Sequence, residues 1–459
     1  MGGLGNIKHF DPVEAVTVSM FDGARPCGEI EDICTAFFRT ETERRHDYAK
    51  GLVAKILSVY CEPDKPKTSP LLVRMNCLSA EEKTRIRRYQ PKDFIVRPKK
   101  FRPNDFKLNT PASMLFLVTN QCNTNCQYCY MPRAIPAKDI MPWERIEELI
   151  YEAQSLGVMI ISLSGGDPLC YPHIFELLEL LDKLGFEPID LPTKSYVSEE
   201  TAARLARCRA VRSVQFSIDS TVPEIADYLV QIPGFCSWTL ESIRNAQKAG
   251  IRRIRTKSVI TPYNLPTIPK LYRDLRGMGV QPVVLATYCR SGYWHKDKLY
   301  NHPDDYEWLD RKLDELKEEF PDDDIYYQNG PPQTSVASEK DRKTTWEKRN
   351  RCTAGRDSFA VCANGKVIAC EQVPEKEENY LGDLRLQSIE EVWNGPVLDE
   401  YLLHPPRERF AGTVCYDCEE FDRCQSFMGG CVRETCKVYG TRWAPVTICP
   451  RAPLPPREK

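Results

Sequence analysis

Three cysteines, Cys122, Cys126 and Cys129, lie close together and constrain this chain more than any other feature of its sequence. They directly follow the apolar run at 114–118, which predicts a strand. Three thiolates at this spacing can hold three irons of a cubane iron-sulfur cluster, whereas a cluster that only carries electrons is closed by four cysteines. The spacing therefore predicts a cluster whose fourth iron is open to a substrate or cofactor. A zinc knuckle is the alternative, although zinc sites usually show paired Cys-x2-Cys knuckles.

Length and charge limit the class of protein. The 459 residues are enough for two or three domains, each with its own core. Lys and Arg number 63 against 65 Asp and Glu, so no overall charge favours nucleic acid or an acidic membrane face. No apolar run approaches the roughly 18 residues that span a bilayer, and the N-terminus lacks a secretory signal pattern. We expect a cytoplasmic protein, monomeric or weakly dimeric, with no membrane or nucleic-acid partner, whose 20 cysteines indicate metal or cluster ligands rather than disulfides.

Strands and helices alternate after a linker rich in Pro and Lys at 91–111. Strands are expected near 113–119, 158–163, 187–191, 212–218, 252–260 and 280–286. Helices are expected near 142–156, 172–184, 198–206, 237–249 and 266–277. Six such repeats predict an α/β fold in which a parallel sheet curls into a partial (β/α)6 barrel. Functional loops of such a sheet lie at the carboxyl ends of its strands, which is where the three cysteines begin.

The first hundred residues predict a separate unit. Helical patterns at 12–23, 27–38 and 48–60 are typical of a winged-helix-like module. A nucleic-acid-binding winged helix is disfavoured because these helices carry Glu29, Glu31 and Asp32 rather than a basic face. The segment 21–30 is similar to the small leader-peptide-binding (RRE, PqqD-like) domain of enzymes that modify ribosomally made peptides. That resemblance implies strand addition of an extended peptide.

The cysteine triplet, with Tyr128 directly before its last member, resembles the signature of the radical S-adenosylmethionine (radical SAM) enzymes. The resemblance implies that the open iron chelates SAM. One electron from the 4Fe-4S cluster would then cleave SAM to a 5'-deoxyadenosyl radical.

Two further segments extend this resemblance. The stretch 164–169 resembles the Gly-Gly-Glu-Pro motif that bonds the SAM amino group, with Asp167 in place of Glu. Ser217 and Asp219 resemble a Ser-x-Asp segment near the SAM ribose and carboxylate, although strand-end turn chemistry also accounts for them. Ser258 is expected to contact the methionine carboxylate. The residues expected to bind the cofactor are Tyr128, Gly165, Gly166, Asp167, Ser217, Asp219 and Ser258.

Cysteine density rises again after Cys352, in a spacing that resembles the SPASM extension of radical SAM enzymes. The resemblance implies two auxiliary 4Fe-4S clusters. The first would be held by Cys352, Cys370, Cys431 and Cys449, and the second by Cys415, Cys418 and Cys424. Relatives place another ligand of the second cluster at the position of Ser358, and serine is not the expected ligand. The fourth ligand of this cluster is then Cys362 or Cys436, or its fourth iron is open. Structural zinc ribbons are the alternative.

Relatives also carry an acidic residue directly after the cysteine that corresponds to Cys370. The resemblance implies that Glu371 is a catalytic base, although a solvated surface glutamate is an equally good interpretation.

These features together predict four regions: a leader-binding domain at 1–100, the partial barrel at 101–290, a bridge at 291–350 and the SPASM domain at 351–459. The expected activity is oxidative modification of a ribosomally made precursor peptide (RiPP maturation), giving a thioether, carbon-carbon or carbon-oxygen crosslink. An external donor such as flavodoxin or ferredoxin would supply electrons. The alternatives are a formylglycine-forming protein maturase, a peptide-excising enzyme, and an iron-sulfur electron carrier or nucleic-acid-binding regulator.

Overall fold

The chain divides into two compact units, residues 1–101 and 102–459. The computed structural model describes residues 12–37, 45–60, 89–91, 107–131, 139–280, 283–288, 297–323, 325–328, 346–347, 352–428 and 430–453. Within these ranges each unit has its own hydrophobic core.

The first unit contains three helices in its described part. They are α1 (Pro12–Ser19), α2 (Cys27–Phe37) and α3 (Arg45–Tyr60), and they confirm the three predicted helices. Their shared core includes the buried side chains of Met20, Ile30, Cys34 and Ile56. The sheet of the predicted winged helix would fall largely on residues 61–88, which lie outside the described residues, so the leader-binding domain stays a prediction.

The second unit begins with six parallel strands that alternate with helices. The strands are β1 (Ser113–Thr119), β2 (Ile160–Gly165), β3 (Ile189–Thr193), β4 (Val211–Ser217), β5 (Ile254–Ile260) and β6 (Val283–Thr287). The helices are α4 (Trp143–Ser155), α5 (Ile174–Leu184), α6 (Glu199–Arg207), α7 (Pro223–Val230), α8 (Phe235–Lys248) and α9 (Ile268–Gly277). Strand β1 pairs with β2, and β3 to β6 pair in order, all in parallel. The predicted α/β architecture is confirmed, and α7 is an additional helix.

Smaller elements follow the sixth strand. They are α10 (Pro303–Glu319), β7 (Tyr326–Gln328), β8 (Ser358–Val361), β9 (Lys366–Ile368), β10 (Gly382–Asp383), α11 (Ile389–Trp393), α12 (Pro396–Leu398) and α13 (Val432–Tyr439). Strand β8 pairs in parallel with β1, and Met114 is opposite Phe359. One sheet therefore has the order β10-β9-β8-β1-β2 and the other β3-β4-β5-β6-β7. The cysteine-rich region thus continues the sheet of the barrel.

A shared core holds the barrel and the cysteine-rich region together. The rings of Phe359 and Trp393 pack with centroids 5.6 Å apart, and both side chains are buried. The Trp393 indole N–H donates a hydrogen bond to the Leu108 carbonyl oxygen at 2.8 Å. Burying two large aromatic rings in one core stabilises the contact between the two regions.

A search of the helices in the described ranges for a membrane-spanning segment finds none with the required length and apolar character.

Candidate functional site

The three cysteines lie on a loop that begins where β1 ends, at Thr119. The Thr124 hydroxyl lies 3.2 Å from the Cys122 sulfur and 3.4 Å from the Cys126 sulfur. Burial raises the pKa of the Cys126 thiol to about 11, and the neighbouring Cys129 also raises it. The structure therefore brings the three thiols together. Their conversion to thiolates needs a nearby positive charge, which bound iron supplies.

Helix α7 fixes this loop. The last carbonyls of an α-helix have no partner within the helix. Here the Asn125 N–H donates to the Val230 carbonyl and the Gln127 N–H to the Leu229 carbonyl, each at 2.9 Å. The Gln127 side-chain amide also donates to the Tyr228 carbonyl at 2.8 Å. The helix that the sequence pattern missed therefore holds the cysteine loop in place.

A glycine turn after β2 packs directly on the same loop. The Gly166 N–H donates to the Thr119 carbonyl at 2.6 Å, and the Asp167 N–H donates to the Gln121 carbonyl at 2.8 Å. Gly165 has a φ of +133°, which a side chain disfavours, and a Cβ on Gly166 would lie 2.0 Å from the Gln121 oxygen. Only glycine therefore permits the turn to approach the cysteine loop this closely.

The carboxylate of Asp167 joins this turn to the end of β3. Its Oδ1 atom accepts a hydrogen bond from the Leu169 N–H at 3.0 Å. Its Oδ2 atom accepts from the backbone N–H groups of Lys194 at 2.6 Å and Ser195 at 2.9 Å. The Thr193 hydroxyl also donates to it. Donors of the chain already occupy both oxygens, so a bond from Asp167 to the SAM amino group stays a prediction.

Asp219 is a second buried carboxylate, with 1 % of its surface exposed. It accepts hydrogen bonds from the Tyr128 hydroxyl and, at 2.8 Å, from the Val259 N–H. The Lys194 ammonium lies 3.5 Å from its Oδ2 atom. Burial raises the pKa of the Tyr128 phenol well above its ordinary value, and Asp219 adds to that rise. Asp219 therefore ties the cysteine loop to β4 and β5.

Lys194 is a residue of this site that sequence reasoning missed. Its ammonium donates to the Ser217 carbonyl at 3.0 Å and lies 5.5 Å and 5.6 Å from the ring centres of Tyr128 and Phe235. Its positive charge opposes the burial that raises the pKa of the Cys126 thiol. The signal was available, because Lys194 directly follows β3 and so lies at the carboxyl edge of the sheet.

The C-terminal cysteines form two groups. In the first of these, burial raises the pKa of the Cys352 thiol, and Cys431 raises it further. Burial also raises the pKa of Cys370 to about 12, with contributions from Glu371 and Cys352. Cys352, Cys370 and Cys431 therefore lie near one another. Nowhere in the described ranges do three or more His, Cys, Asp or Glu side chains converge closely enough to hold a single metal ion.

The second group contains four cysteines that line one cavity of about 150 Å³. They are Cys415, Cys418, Cys424 and Cys449. Burial raises the pKa of the Cys415 thiol to about 11, and its neighbours Cys449 and Cys418 also raise it. The prediction that Cys449 belongs with Cys352 was wrong, because residues 446–451 fold back onto the Cys415 loop. Cys449 is therefore the fourth thiol of the second group.

Two family profiles match this chain. That of the radical SAM superfamily matches residues 116–275, and that of SPASM, an iron-sulfur cluster-binding domain, matches residues 352–419. The chain contains a radical SAM domain and a SPASM domain. Its cofactors are SAM, a 4Fe-4S cluster at the SAM site and auxiliary iron-sulfur clusters in the SPASM domain.

Relatives of known name match part of the chain. A GTP 3',8-cyclase of Rhizobium etli is 31% identical over 228 residues, which are 49% of this chain and 64% of that protein. A second GTP 3',8-cyclase, of Brucella canis, is 28% identical over 47% of this chain and 62% of its own length. The matches thus span less than two thirds of these relatives.

Solved structures resemble more of the chain. Streptococcus suis SuiB bound to precursor peptide SuiA gives a TM-score of 0.63 at 17% identity, covering 94% of this chain and 91% of SuiB. The protein anSMEcpe, with bound AdoMet (S-adenosylmethionine), gives 0.51 at 18% identity over 70% of this chain and 89% of its own. These likenesses show that the chain shares the radical SAM and SPASM fold.

Both sites fit iron-sulfur clusters. In the radical SAM domain, the thiols of Cys122 and Cys126 lie near the buried ammonium of Lys194, and the motif has no fourth cysteine. In the SPASM domain, two N–H donors of the buried Arg442 guanidinium, Nε and Nη1, lack a hydrogen-bond partner among the described residues. A buried cation without such a partner is costly, and an anionic thiolate cluster beside it would compensate that charge.

Tyr130 lies near Glu371 and near a cysteine of each domain. Burial raises the pKa of the Tyr130 phenol well above its ordinary value, and Glu371, Cys129 and Cys370 each raise it further. Tyr130, which directly follows the last cysteine of the triplet, is thus close to both thiols and to the carboxylate. Sequence reasoning did not single out Tyr130. The role of Glu371 as a catalytic base stays a prediction.

Three serines were singled out in the sequence, and the structure shows where their side chains or carbonyls make hydrogen bonds. Ser258 is fully buried, and its hydroxyl donates to the Ile218 carbonyl inside the sheet, so the predicted contact with the SAM carboxylate lacks structural support. Ser217 contributes its carbonyl to Lys194, while its predicted contact with SAM stays a prediction. Ser358 is on β8, and its hydroxyl donates to the Asp357 carboxylate at 2.8 Å.

Proposed function

We propose that this protein modifies a ribosomally made precursor peptide by radical chemistry and leaves an oxidised product. The product would carry a thioether, carbon-carbon or carbon-oxygen crosslink. When bound, SAM and its cluster supply a 5'-deoxyadenosyl radical that removes a hydrogen atom from the substrate. The protein would work in the cytoplasm with an external electron donor such as flavodoxin or ferredoxin.

The observation that carries this proposal is the position of Glu371. Its carboxylate interacts with Tyr130, which also lies near Cys129 of the radical SAM domain and Cys370 of the SPASM domain. Closing a bond onto a substrate radical releases one electron and one proton. Glu371 would accept the proton, and Cys370 would help to hold the auxiliary cluster that takes up the electron. An oxidative outcome follows from that pairing.

A peptide substrate is supported by the fold. SuiB, whose structure with precursor peptide SuiA is known, resembles this chain over both of the domains identified above. The first unit, with its three helices, would hold the leader segment by strand addition. Such tethering raises the effective concentration of the rest of the peptide at the SAM site, so a weak pocket suffices there.

The radical activity is tested without knowing the peptide. We expect the reduced, reconstituted protein to convert SAM slowly to 5'-deoxyadenosine, and Cys126→Ala to reduce this to background because the cluster loses one of its three ligands. Chromatography of the nucleoside products measures the outcome. Cys208→Ala removes a half-buried thiol outside the motif and should retain wild-type cleavage. Absence of 5'-deoxyadenosine from wild-type protein would favour the electron-carrier or regulator alternative.

The peptide hypothesis is tested by removing residues 1–101, the first compact unit. We expect the shortened protein to lose processing of a coexpressed precursor peptide, because the leader has no binding surface, while uncoupled SAM cleavage persists. Mass spectrometry of the peptide gives the mass change, which also separates a two-hydrogen oxidation from formylglycine formation or excision of residues. Full processing by the shortened protein would contradict leader recognition by the first unit.

A nucleotide substrate is the second candidate, since the relatives matched in sequence are named GTP 3',8-cyclases. Incubation of the reduced protein with SAM and GTP tests it. The peptide proposal expects 5'-deoxyadenosine formation to be independent of GTP, with GTP recovered unchanged. Stoichiometric loss of GTP with accelerated SAM cleavage would overturn the peptide proposal in favour of a nucleotide cyclase.

A further inference from the structure

The first group of SPASM cysteines has only three members once Cys449 is assigned to the second. Closing a cubane iron-sulfur cluster takes four protein ligands. We propose that Cys436 is the fourth ligand of the cluster held by Cys352, Cys370 and Cys431, and that Arg442 is its buried counter-charge. The cluster is then closed, and it transfers electrons without binding substrate at iron. Ligation replaces the Cys436 S–H bond by an iron-sulfur bond and releases one proton.

The position of Cys436 supports this assignment. Cys431 is the residue directly before α13, and Cys436 lies on α13 with only 5 % of its surface exposed. The Thr435 N–H and hydroxyl both donate to the Cys431 carbonyl, at 3.1 Å and 3.2 Å, which fixes the start of the helix against Cys431. Burial raises the pKa of the Cys436 thiol to about 12, and the nearby Glu378 carboxylate and Cys431 raise it further. The same short helix therefore brings both thiols to this site.

Tyr401 connects Cys436 to another member of the group. Burial raises the pKa of the Tyr401 phenol, and Cys436 and Cys370 both raise it further, so the phenol lies near both thiols. The phenol donates to the Asn379 side-chain oxygen at 2.8 Å, and the Cys436 sulfur lies 3.9 Å from that oxygen. Cys436 and Cys370 thus have the same phenol as a neighbour.

Arg442 marks the site as one for an anion. Its side chain is buried, with 5 % of the residue exposed, and its guanidinium stacks 4.4 Å from the ring centres of Tyr401 and Trp443. Its Nε and Nη1 donors have no hydrogen-bond partner in the part of the chain that the structure describes. It lines the same cavity as Cys352 and Thr435. Burial lowers the pKa of the Arg442 guanidinium to about 10, and Tyr401, Cys436 and Glu378 oppose that lowering. An anionic cluster held by Cys436 would add to this compensation of a buried positive charge, which is otherwise costly.

The other candidate thiol does not fit. Cys362 is buried among Leu117, Met131 and Ile368. Burial and the Glu375 carboxylate account for the rise of its thiol pKa, and no cluster cysteine contributes to it. Cys362 is therefore a core residue, and it offers a matched control for Cys436.

Iron content tests the proposal in the full-length chain with Cys122, Cys126 and Cys129 replaced by alanine, which isolates the auxiliary clusters. This background should hold about eight irons and eight sulfides per chain. Adding Cys436→Ala should lower the iron content by at least one and produce the EPR signal of a 3Fe-4S cluster, as Cys352→Ala should. Adding Cys362→Ala should change neither. Unchanged iron, sulfide and Mössbauer spectrum in the Cys436→Ala protein would overturn the proposal.

A second measurement does not depend on how the Cys436 variant folds. In the background protein, 2-mercaptoethanol should leave the EPR spectra of the reduced auxiliary clusters unchanged, because a closed cluster has no iron free to bind a thiol. A spectral shift on adding the thiol would show an open iron and refute the assignment.

The role of Arg442 is tested by its reduction potential effect. Arg442→Met should retain the iron and make the reduction potential of one auxiliary cluster more negative, and Arg442→Lys should reverse part of that change in potential. Identical potentials in the background and Arg442→Met proteins would refute the counter-charge role.

Discussion

Alanine at Gly166 is expected to weaken SAM binding strongly while most of the chain stays folded. The added Cβ would lie 2.0 Å from the Gln121 carbonyl oxygen and 2.6 Å from its carbon, and both atoms belong to the backbone of the cysteine loop. To avoid this clash the glycine turn has to move, which breaks the 2.6 Å hydrogen bond from the Gly166 N–H to the Thr119 carbonyl oxygen. Overpacking of this kind costs about 3 kcal/mol, so SAM affinity should fall about a hundredfold. Equilibrium dialysis with labelled SAM under anaerobic conditions measures this.

Gly277→Ala is the matched control for that prediction. Gly277 ends α9, has an ordinary helical backbone conformation, and would place its Cβ with no atom within 4 Å. Alanine has the higher helix propensity by about 1 kcal/mol, so this variant should be as stable as the wild type or more so. If Gly166→Ala bound SAM as tightly as Gly277→Ala does, close approach of the two loops would not be what forms the SAM site.

Methionine at Lys194 is expected to destabilise the radical SAM domain and to weaken SAM binding together. It leaves the Asp219 carboxylate, 1 % exposed, without the ammonium that lies 3.5 Å away. Removing one partner of a buried ion pair costs about 3 kcal/mol or more, because the remaining charge is uncompensated. It also removes the cation that favours the Cys126 thiolate. Denaturant unfolding of the metal-free protein and SAM titration of the reconstituted protein measure the two effects.

Two further variants separate the cause of that loss. Lys194→Met combined with Asp219→Asn should recover part of the stability, since no unpaired buried charge remains, yet should still bind SAM weakly. Lys248→Met removes an exposed ion pair with Glu199, whose partners are 71% and 68% exposed, and should cost less than about 1 kcal/mol. Equal losses for Lys194→Met and Lys248→Met would show that burial of the pair has no energetic consequence.

The barrel was predictable from the sequence because its signals are local. Each of the six predicted strands overlaps one of β1 to β6, and each predicted barrel helix overlaps a helix, because apolar runs and helical periodicity recur at short spacing. Helix α7 was missed because its eight residues follow β4 after a short turn and are followed closely by α8. Strands β8 to β10 have two to four residues each, too few for periodicity to show.

The two groups of auxiliary cysteines illustrate what spacing cannot decide. Cys415, Cys418 and Cys424 were predicted to share a site because they lie close in sequence, and they line one cavity. Cys449 comes from a distant segment, and its group depends on how residues 446–451 fold back. Arg442 was missed for a related reason, since a single basic residue shows no sign in the sequence of being buried. The position of Lys194 directly after β3 indicated the edge of the sheet but not the burial of its charge.

The sequence alone determined that this chain carries a three-cysteine cluster motif at the end of a barrel strand and further cysteines for auxiliary clusters. Spacing and periodicity are properties of neighbouring residues, so they are readable without a structure. Tertiary structure alone decided which distant thiols lie together and which carboxylates already accept hydrogen bonds from the chain. It also decided where Lys194 and Arg442 place buried positive charge. Those outcomes depend on contacts between residues far apart in the chain, whose energies arise only when water is excluded from between them.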